Sequence, residues 1–248
     1  MDMERYYSQL KQTALQGFKK LNKTSRVEQK KWAIPAGSWE VSVVRGKVLE
    51  KATTTHIRLQ TKSPATGEDT RFEVFQVKIY PASPKIPILL FNMENRAGRE
   101  DHFAGFLDVA PVATSRSDLN FMQAGIKQLA EKHREDYEAS RKKLNDIYRM
   151  DSWERAVNAA IGLRLEYARE KADLVYEAGM LWLESFFTVA GKRKRESCTG
   201  KQEALMYSVR ARIMEFYLLK DLSVRVVQQL GLPLDAVALG NFAPTIHY

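Results

Sequence analysis

Between Phe72 and Pro111 the sequence FEVFQVKIYPASPKIPILLFNMENRAGREDHFAGFLDVAP gathers the residues best placed to do chemistry. Two apolar runs, Ile88 to Met93 and Phe103 to Val112, carry polar groups at or near their ends: Asn92 and Glu94 on the first, Asp108 inside the second. An ionisable side chain inside a strand needs a partner or a cavity, because burying it unpaired costs several kcal/mol or forces it neutral. A carboxyl kept in such a cavity can hold a proton near neutral pH and hand it on. Two plainer readings stand beside this one. The polar residues could form a solvated strand face, and Asp108, just before Ala110-Pro111, could cap the turn that opens the next part of the chain.

The elements that must position these residues follow from the period of the apolar pattern. Phe72, Val74, Phe75, Val77 and Ile79 make a β-rich run that Tyr80-Pro81 stops, since proline cannot donate to a sheet ladder. Upstream, Ser38 to Val44 and Val48 to Leu59 are strand-like around the turn Arg45-Gly46-Lys47, and Ser63 to Gly67 makes a further turn. These runs predict a mainly antiparallel sheet over 38–112. Residues 3–21 place Tyr7, Leu10, Leu15, Phe18 and Leu21 at helical spacing. From Ser117, read as an N-cap, the pattern is helical, with long helices over 153–189 and 202–230, the latter closed by Gly231 and Pro233, and no return of strand signals. Strands first and helices after predict an α+β protein, a mainly antiparallel β-sheet flanked by helices in an α/β/α sandwich, as one domain over 1–248, strand-rich over 38–112 and helical over 117–230.

The chain has 248 residues, 44% of them hydrophobic, enough to bury a large core. No run approaches the roughly 18 apolar residues that a membrane-spanning helix needs, and the charged start MDMERYYSQLKQ is not signal-like, so a cytoplasmic location is expected. A lone Cys198 and four scattered histidines give no disulfide and no ligand spacing for a metal. A net charge of +9 favours acidic partners. The charge is spread along the chain with no zinc finger or aromatic-interleaved basic stripe, which argues against nucleic acid. Its densest run, Lys192 to Arg195, reads as a solvated loop or a docking patch.

The motifs carry a resemblance. YPASPKIPILLFN resembles the H-P-x-N-P-x-x-P-T-x-H-F-N motif of oxygen-dependent coproporphyrinogen oxidases, with Pro81, Pro84, Pro87, Phe91 and Asn92 in register. GSWEVSVVRGKVLEKA, LDVAP and RARIMEFYLLKD resemble three further segments of that family in the same order. Tyr80 and Leu90 stand where the family has its two motif histidines. The shorter spacing from Asn92 to Asp108 is similar to that of the ferredoxin-dependent bilin reductases, whose motif has a proton-donating aspartate, in some members asparagine, at the position of Asn92. The histidine those reductases often carry upstream falls near Gln76 or Val77 and is absent here.

The resemblance implies reduction of an open-chain tetrapyrrole of the biliverdin type, with no bound cofactor and electrons from an acidic ferredoxin. Bilin reduction needs protons from the protein, and Asp108 and Glu94 are the candidate acids. The Asn92 amide could orient a pyrrole ring by hydrogen bonding. Tetrapyrrole propionates favour arginine's planar fork, and Arg96, Arg99, Arg210 and Arg212 are available, with Tyr80 as a further substrate contact. Arg210 and Arg212 are two apart on a helix and do not share a face. Two alternatives follow from the same resemblance: oxidative decarboxylation of coproporphyrinogen, and a catalytically silent tetrapyrrole carrier.

Overall fold

The computed structural model describes residues 3–62, 67–97, 102–145, 147–168 and 171–247. Its centre is a seven-stranded sheet in which every strand pairs antiparallel with its predecessor in the chain. The strands are β1 (Glu28–Ile34), β2 (Gly37–Val44), β3 (Leu49–Lys62), β4 (Asp69–Pro81), β5 (Ile88–Ala97), β6 (His102–Ala110) and β7 (Leu163–Ala168). Among the described residues the helices are α1 (Met3–Asn22), α2 (Arg116–Lys132), α3 (Tyr137–Leu144), α4 (Ala172–Arg193), α5 (Gly200–Leu219), α6 (Leu222–Gln229) and α7 (Asp235–Asn241).

Period-2 alternation gives the sheet two apolar faces. Phe75, Val77 and Ile79 of β4 share one face with Leu89, Phe91 and Met93 of β5, and this face packs under α1, α2 and α4 through Leu10, Phe18, Ile126 and Trp182. On the other face, Trp39, Val41, Ile57 and Val74 meet Val227 of α6 and Ala236 and Val237 of α7. Farther along that face, Ile88 and Leu90 meet Tyr148 and Ile213, Phe216 and Tyr217 of α5. Helices thus cover both faces, and the α/β/α sandwich is the observed architecture.

The register sets the site. Gln76 lies opposite Asn92, and Asn92 lies opposite Phe106. Gly105, at φ 150°, allows this close pairing, because a Cβ there would come within 2.3 Å of the Asn92 carbonyl oxygen.

The structure departs from the expected pattern in four places. The expected helix over 153–189 is interrupted by β7, so a strand does return. The short alternation Leu163-Arg164-Leu165-Glu166 fits either period, and the open edge of β6 decides it by offering ladder hydrogen bonds. The expected helix over 202–230 breaks at Lys220: Asp221 Oδ1 accepts from Ser223 N at 2.8 Å and starts α6 as a new helix. Ser115 rather than Ser117 caps α2. Strand β1 precedes the predicted sheet; its exposed Glu28, Gln29, Lys30 and Lys31 give an edge strand the composition of a loop.

Candidate functional site

A cavity of about 380 Å³ lies between the second sheet face and the bend joining α5 to α6. Trp39, Ile57, Phe72, Val74 and Phe106 make its sheet wall largely apolar, and Tyr217, Asp221, Leu222 and Val226 roof it. The volume falls in the range of roughly 300–1,000 Å³ typical of small-molecule sites, as does the pattern of a few polar groups in an apolar wall.

One polar row crosses the floor. Gln76 Nε2 donates to Asn92 Oδ1 at 2.8 Å, and Asn92 Nδ2 donates to Glu94 Oε1 at 2.9 Å. Adjacent antiparallel strands and the i, i+2 relation along β5 put all three side chains on one face. Asn92 is 5% exposed. The row leaves Gln76 Oε1 buried with no partner among the described residues, an acceptor available to an N–H donor in the cavity. Arg96 stands at the rim, its guanidinium 5.4 Å from the Phe72 ring centre.

A second polar group lies deeper. Lys78, 1% exposed, donates to Tyr148 Oη at 2.9 Å, and Tyr148 and Tyr217 share a hydrogen bond of 2.8 Å between their hydroxyls. All three line the cavity. Burial lowers the Lys78 amine to about 7, while the negative charge of Asp221 opposes that fall. Burial raises both tyrosines well above the ordinary phenol value.

Of the residues singled out from the sequence, the cavity brings together Asn92, Glu94 and Arg96. Asp108 shares their sheet face but is used elsewhere. Its Oδ2 accepts from Asn158 Nδ2 at 2.7 Å and Ala160 N at 2.9 Å, and its Oδ1 from Ile161 N at 3.2 Å. These bonds hold a segment in which Ala160 sits at φ 51°. Burial pushes the Asp108 carboxyl up to about 6, against the Asn158 amide and the backbone N–H donors that favour its charge. Asp108 therefore caps neither the turn at Pro111 nor the helix after it.

Tyr80 and Arg210 are likewise buried outside the cavity lining. Tyr80 Oη donates to Asn241 O at 2.5 Å. Arg210 donates to Pro81 O at 2.8 Å, pairs with Glu50 at 2.9 Å and reaches Thr245 O at 3.3 Å, which together fasten the segment after α7 to the sheet. Arg212 is exposed on α5, with its guanidinium 5.8 Å from the Trp153 ring centre. Arg99 lies outside the described residues.

Sequence reasoning missed Lys78, Tyr148, Tyr217 and Asp221. A signal for Lys78 was present: it follows Gln76 at i+2, so the strand period already placed both on the face of Val74. Tyr148 and Tyr217 carry no such local signal, since only the fold brings their hydroxyls together. In the basic run, Lys192 and Arg193 are ion-paired with Asp118 at 3.5 and 2.6 Å. Lys194 and Arg195 instead join Lys23, Arg45 and Lys47 around a depression near the end of α1. Among the described residues, no group of three His, Cys, Asp or Glu could hold a metal ion, and no helix is long and apolar enough to cross a membrane.

The fold is similar to that of phytochromobilin synthase from tomato, whose crystal structure is a complex with biliverdin. The match has a TM-score of 0.61 and 12% sequence identity, and it covers 94% of this chain and 80% of that one. No curated protein matches the sequence. The model of the family described as coproporphyrinogen III oxidase matches residues 2–234. With nearly all of its length matched in this way, the chain belongs to the coproporphyrinogen III oxidase family.

Proposed function

We propose that the chain binds an open-chain tetrapyrrole of the biliverdin type in the cavity and reduces it with electrons from a ferredoxin. The observation that carries this reading is the Gln76–Asn92–Glu94 row. It presents a carbonyl acceptor and a carboxyl group, a donor when protonated, within an apolar wall, to a ligand whose pyrrole N–H groups need an acceptor and whose lactam oxygens need a donor. The similarity in fold to a biliverdin-bound phytochromobilin synthase supports the same reading. Asn92 orients the ligand, Glu94 supplies one proton and Arg96 at the rim meets a propionate.

Membership of the oxidase family favours a second reading, the oxygen-dependent decarboxylation of coproporphyrinogen. Against it, Tyr80 and Leu90 replace the motif histidines, and both are buried outside the cavity lining.

The test is to mix the protein with biliverdin and with coproporphyrin, record absorption spectra, and then add reduced ferredoxin without oxygen. The expected result is a shifted biliverdin band that bleaches on reduction, at a rate that falls as salt is raised, since a chain of net charge +9 attracts an acidic donor. A shift without bleaching would leave a carrier. Decarboxylation of coproporphyrinogen in air would establish the second reading.

Glu94→Gln is expected to bind biliverdin as the parent does while single-turnover reduction slows by roughly 10²-fold, a typical worth of general acid catalysis. An unchanged rate would remove Glu94 from the chemistry.

A further inference from the structure

Two buried lysines differ in a way that bears on the cavity. Lys51 and Lys78 both have amines lowered to about 7, in each case by burial first. Lys51 Nζ is spent on structure: it donates to the carbonyl oxygens of Ala238 at 2.9 Å and Phe242 at 2.6 Å, at the end of α7. Lys78 is not used in this way. Among the described residues its Nζ donates to Tyr148 Oη alone, although an ammonium has three N–H groups. The rings of Phe106, Tyr148 and Tyr217 lie with their centres 5.2, 5.6 and 5.6 Å from Nζ, an arrangement that favours a cation there without binding its proton. The amine lines the cavity, and so do both tyrosines.

We propose that Lys78 is a second proton donor for the ligand in this cavity, replenished through the hydroxyls of Tyr148 and Tyr217. The proposal rests on the bilin-reductase reading above. Reducing one double bond takes two electrons and two protons. The electrons arrive singly from a reduced iron–sulfur protein, and Glu94 accounts for one proton. For the other, a Lys78 N–H bond breaks as a C–H bond forms on the reduced ligand, leaving a neutral amine. That amine takes the Tyr148 hydroxyl proton, Tyr148 takes the Tyr217 proton, and Tyr217 is restored from water at the roof beside Asp221. Burial disfavours either tyrosinate, so the two hydroxyl transfers go together rather than by way of a standing phenolate.

The charged and titratable groups around the amine come from every neighbouring element. Asp221 faces it from the α5–α6 bend, Tyr217 from α5 and Tyr148 from the segment after α3. Tyr80 of β4 and Asp108 of β6 act at longer range, through the tyrosines. Asp221 is the group whose negative charge opposes the fall that burial imposes on the amine.

The experiment is anaerobic reduction of bound biliverdin with pre-reduced ferredoxin from pH 6 to 9, followed through a single turnover and then through repeated turnovers, in the parent, Lys78→Met, Lys78→Arg and Tyr217→Phe. Affinity and melting temperature are measured for each variant. The parent rate should fall as pH rises through about 7, the value at which the amine loses its proton. Lys78→Met and Lys78→Arg should both bind biliverdin, react roughly 10²-fold more slowly and lose that pH break, because methionine has no proton and arginine does not release one. Tyr217→Phe should spare the first turnover and slow later ones. A folded Lys78→Met with the parental rate and pH break would overturn the relay while leaving bilin reduction intact. A parent that neither binds nor bleaches biliverdin would overturn both.

Discussion

Lys78→Met is expected to make the protein more stable at neutral pH, by an amount that shrinks as the solution becomes alkaline. Burial lowers the amine from 10.5 to about 7 in the folded chain, while the unfolded chain keeps the ordinary value. Between those two values the unfolded state binds more protons than the folded state, so parental stability rises with pH across the window. At about 1.4 kcal/mol per unit, the gain from pH 7 to pH 9 is on the order of 2 to 3 kcal/mol. Methionine fills a similar volume, has no proton to lose and leaves the Tyr148–Tyr217 hydrogen bond in place. Denaturant melts of parent and variant at pH 7 and pH 9 measure the effect. A stability difference that is the same at both values would mean that Lys78 is not held near neutrality by its surroundings.

Asp108→Ala should have the opposite sign and a comparable size. The change strands the Asn158 amide and the backbone N–H groups of Ala160 and Ile161, all of which now point at carboxylate oxygens. Each buried donor left without an acceptor costs roughly 1–3 kcal/mol, so a loss of at least about 3 kcal/mol is expected. The held segment contains Ala160 at φ 51°, a conformation that alanine adopts only when its neighbours enforce it. On the proposed function, the folded fraction should still bind biliverdin like the parent, because Asp108 is not part of the cavity lining. A variant with parental melting temperature and a lost rate would return Asp108 to the role of proton donor that its place in the sequence suggests.

The contrast between these two residues shows which parts of the site the sequence discloses. Asn92, Glu94 and Arg96 are legible because strand period and the proline motif put them on one face of one strand, a local property. Asp108 shares that face, yet its partners lie about 50 residues downstream, in a segment with no period of its own. Lys78 reads as an ordinary polar position until Tyr148 and Tyr217 arrive from 70 and 139 residues away. The same limit applies to the fold. Five of the strands, β2 to β6, can be argued from the alternation of neighbouring residues, whereas β1 has the composition of a loop. Strand β7 cannot, because Leu163 and Leu165 alone do not separate a period of 2 from one of 3.6, and only the edge of β6 settles the matter. The break between α5 and α6 depends on one residue, Asp221, whose capping bond competes with a helix that its flanking leucines and valines would otherwise continue.

The order of the strands, each beside its predecessor, also governs how the molecule comes into being. A meander forms by successive hairpins, with short loops to close at each step, so β1 to β6 can assemble from local contacts as the chain lengthens. The roof of the cavity is built late, from α5 and α6 near the C-terminal end. Until α6 and α7 emerge, the sheet face bearing Trp39, Val41, Ile57 and Val74 lacks the helices that pack on it. A sheet that forms during synthesis before those helices emerge would expose this apolar face, the kind of surface that aggregates or recruits a chaperone. A ligand present at that point would meet an open platform, because the enclosed site needs α5 and α6.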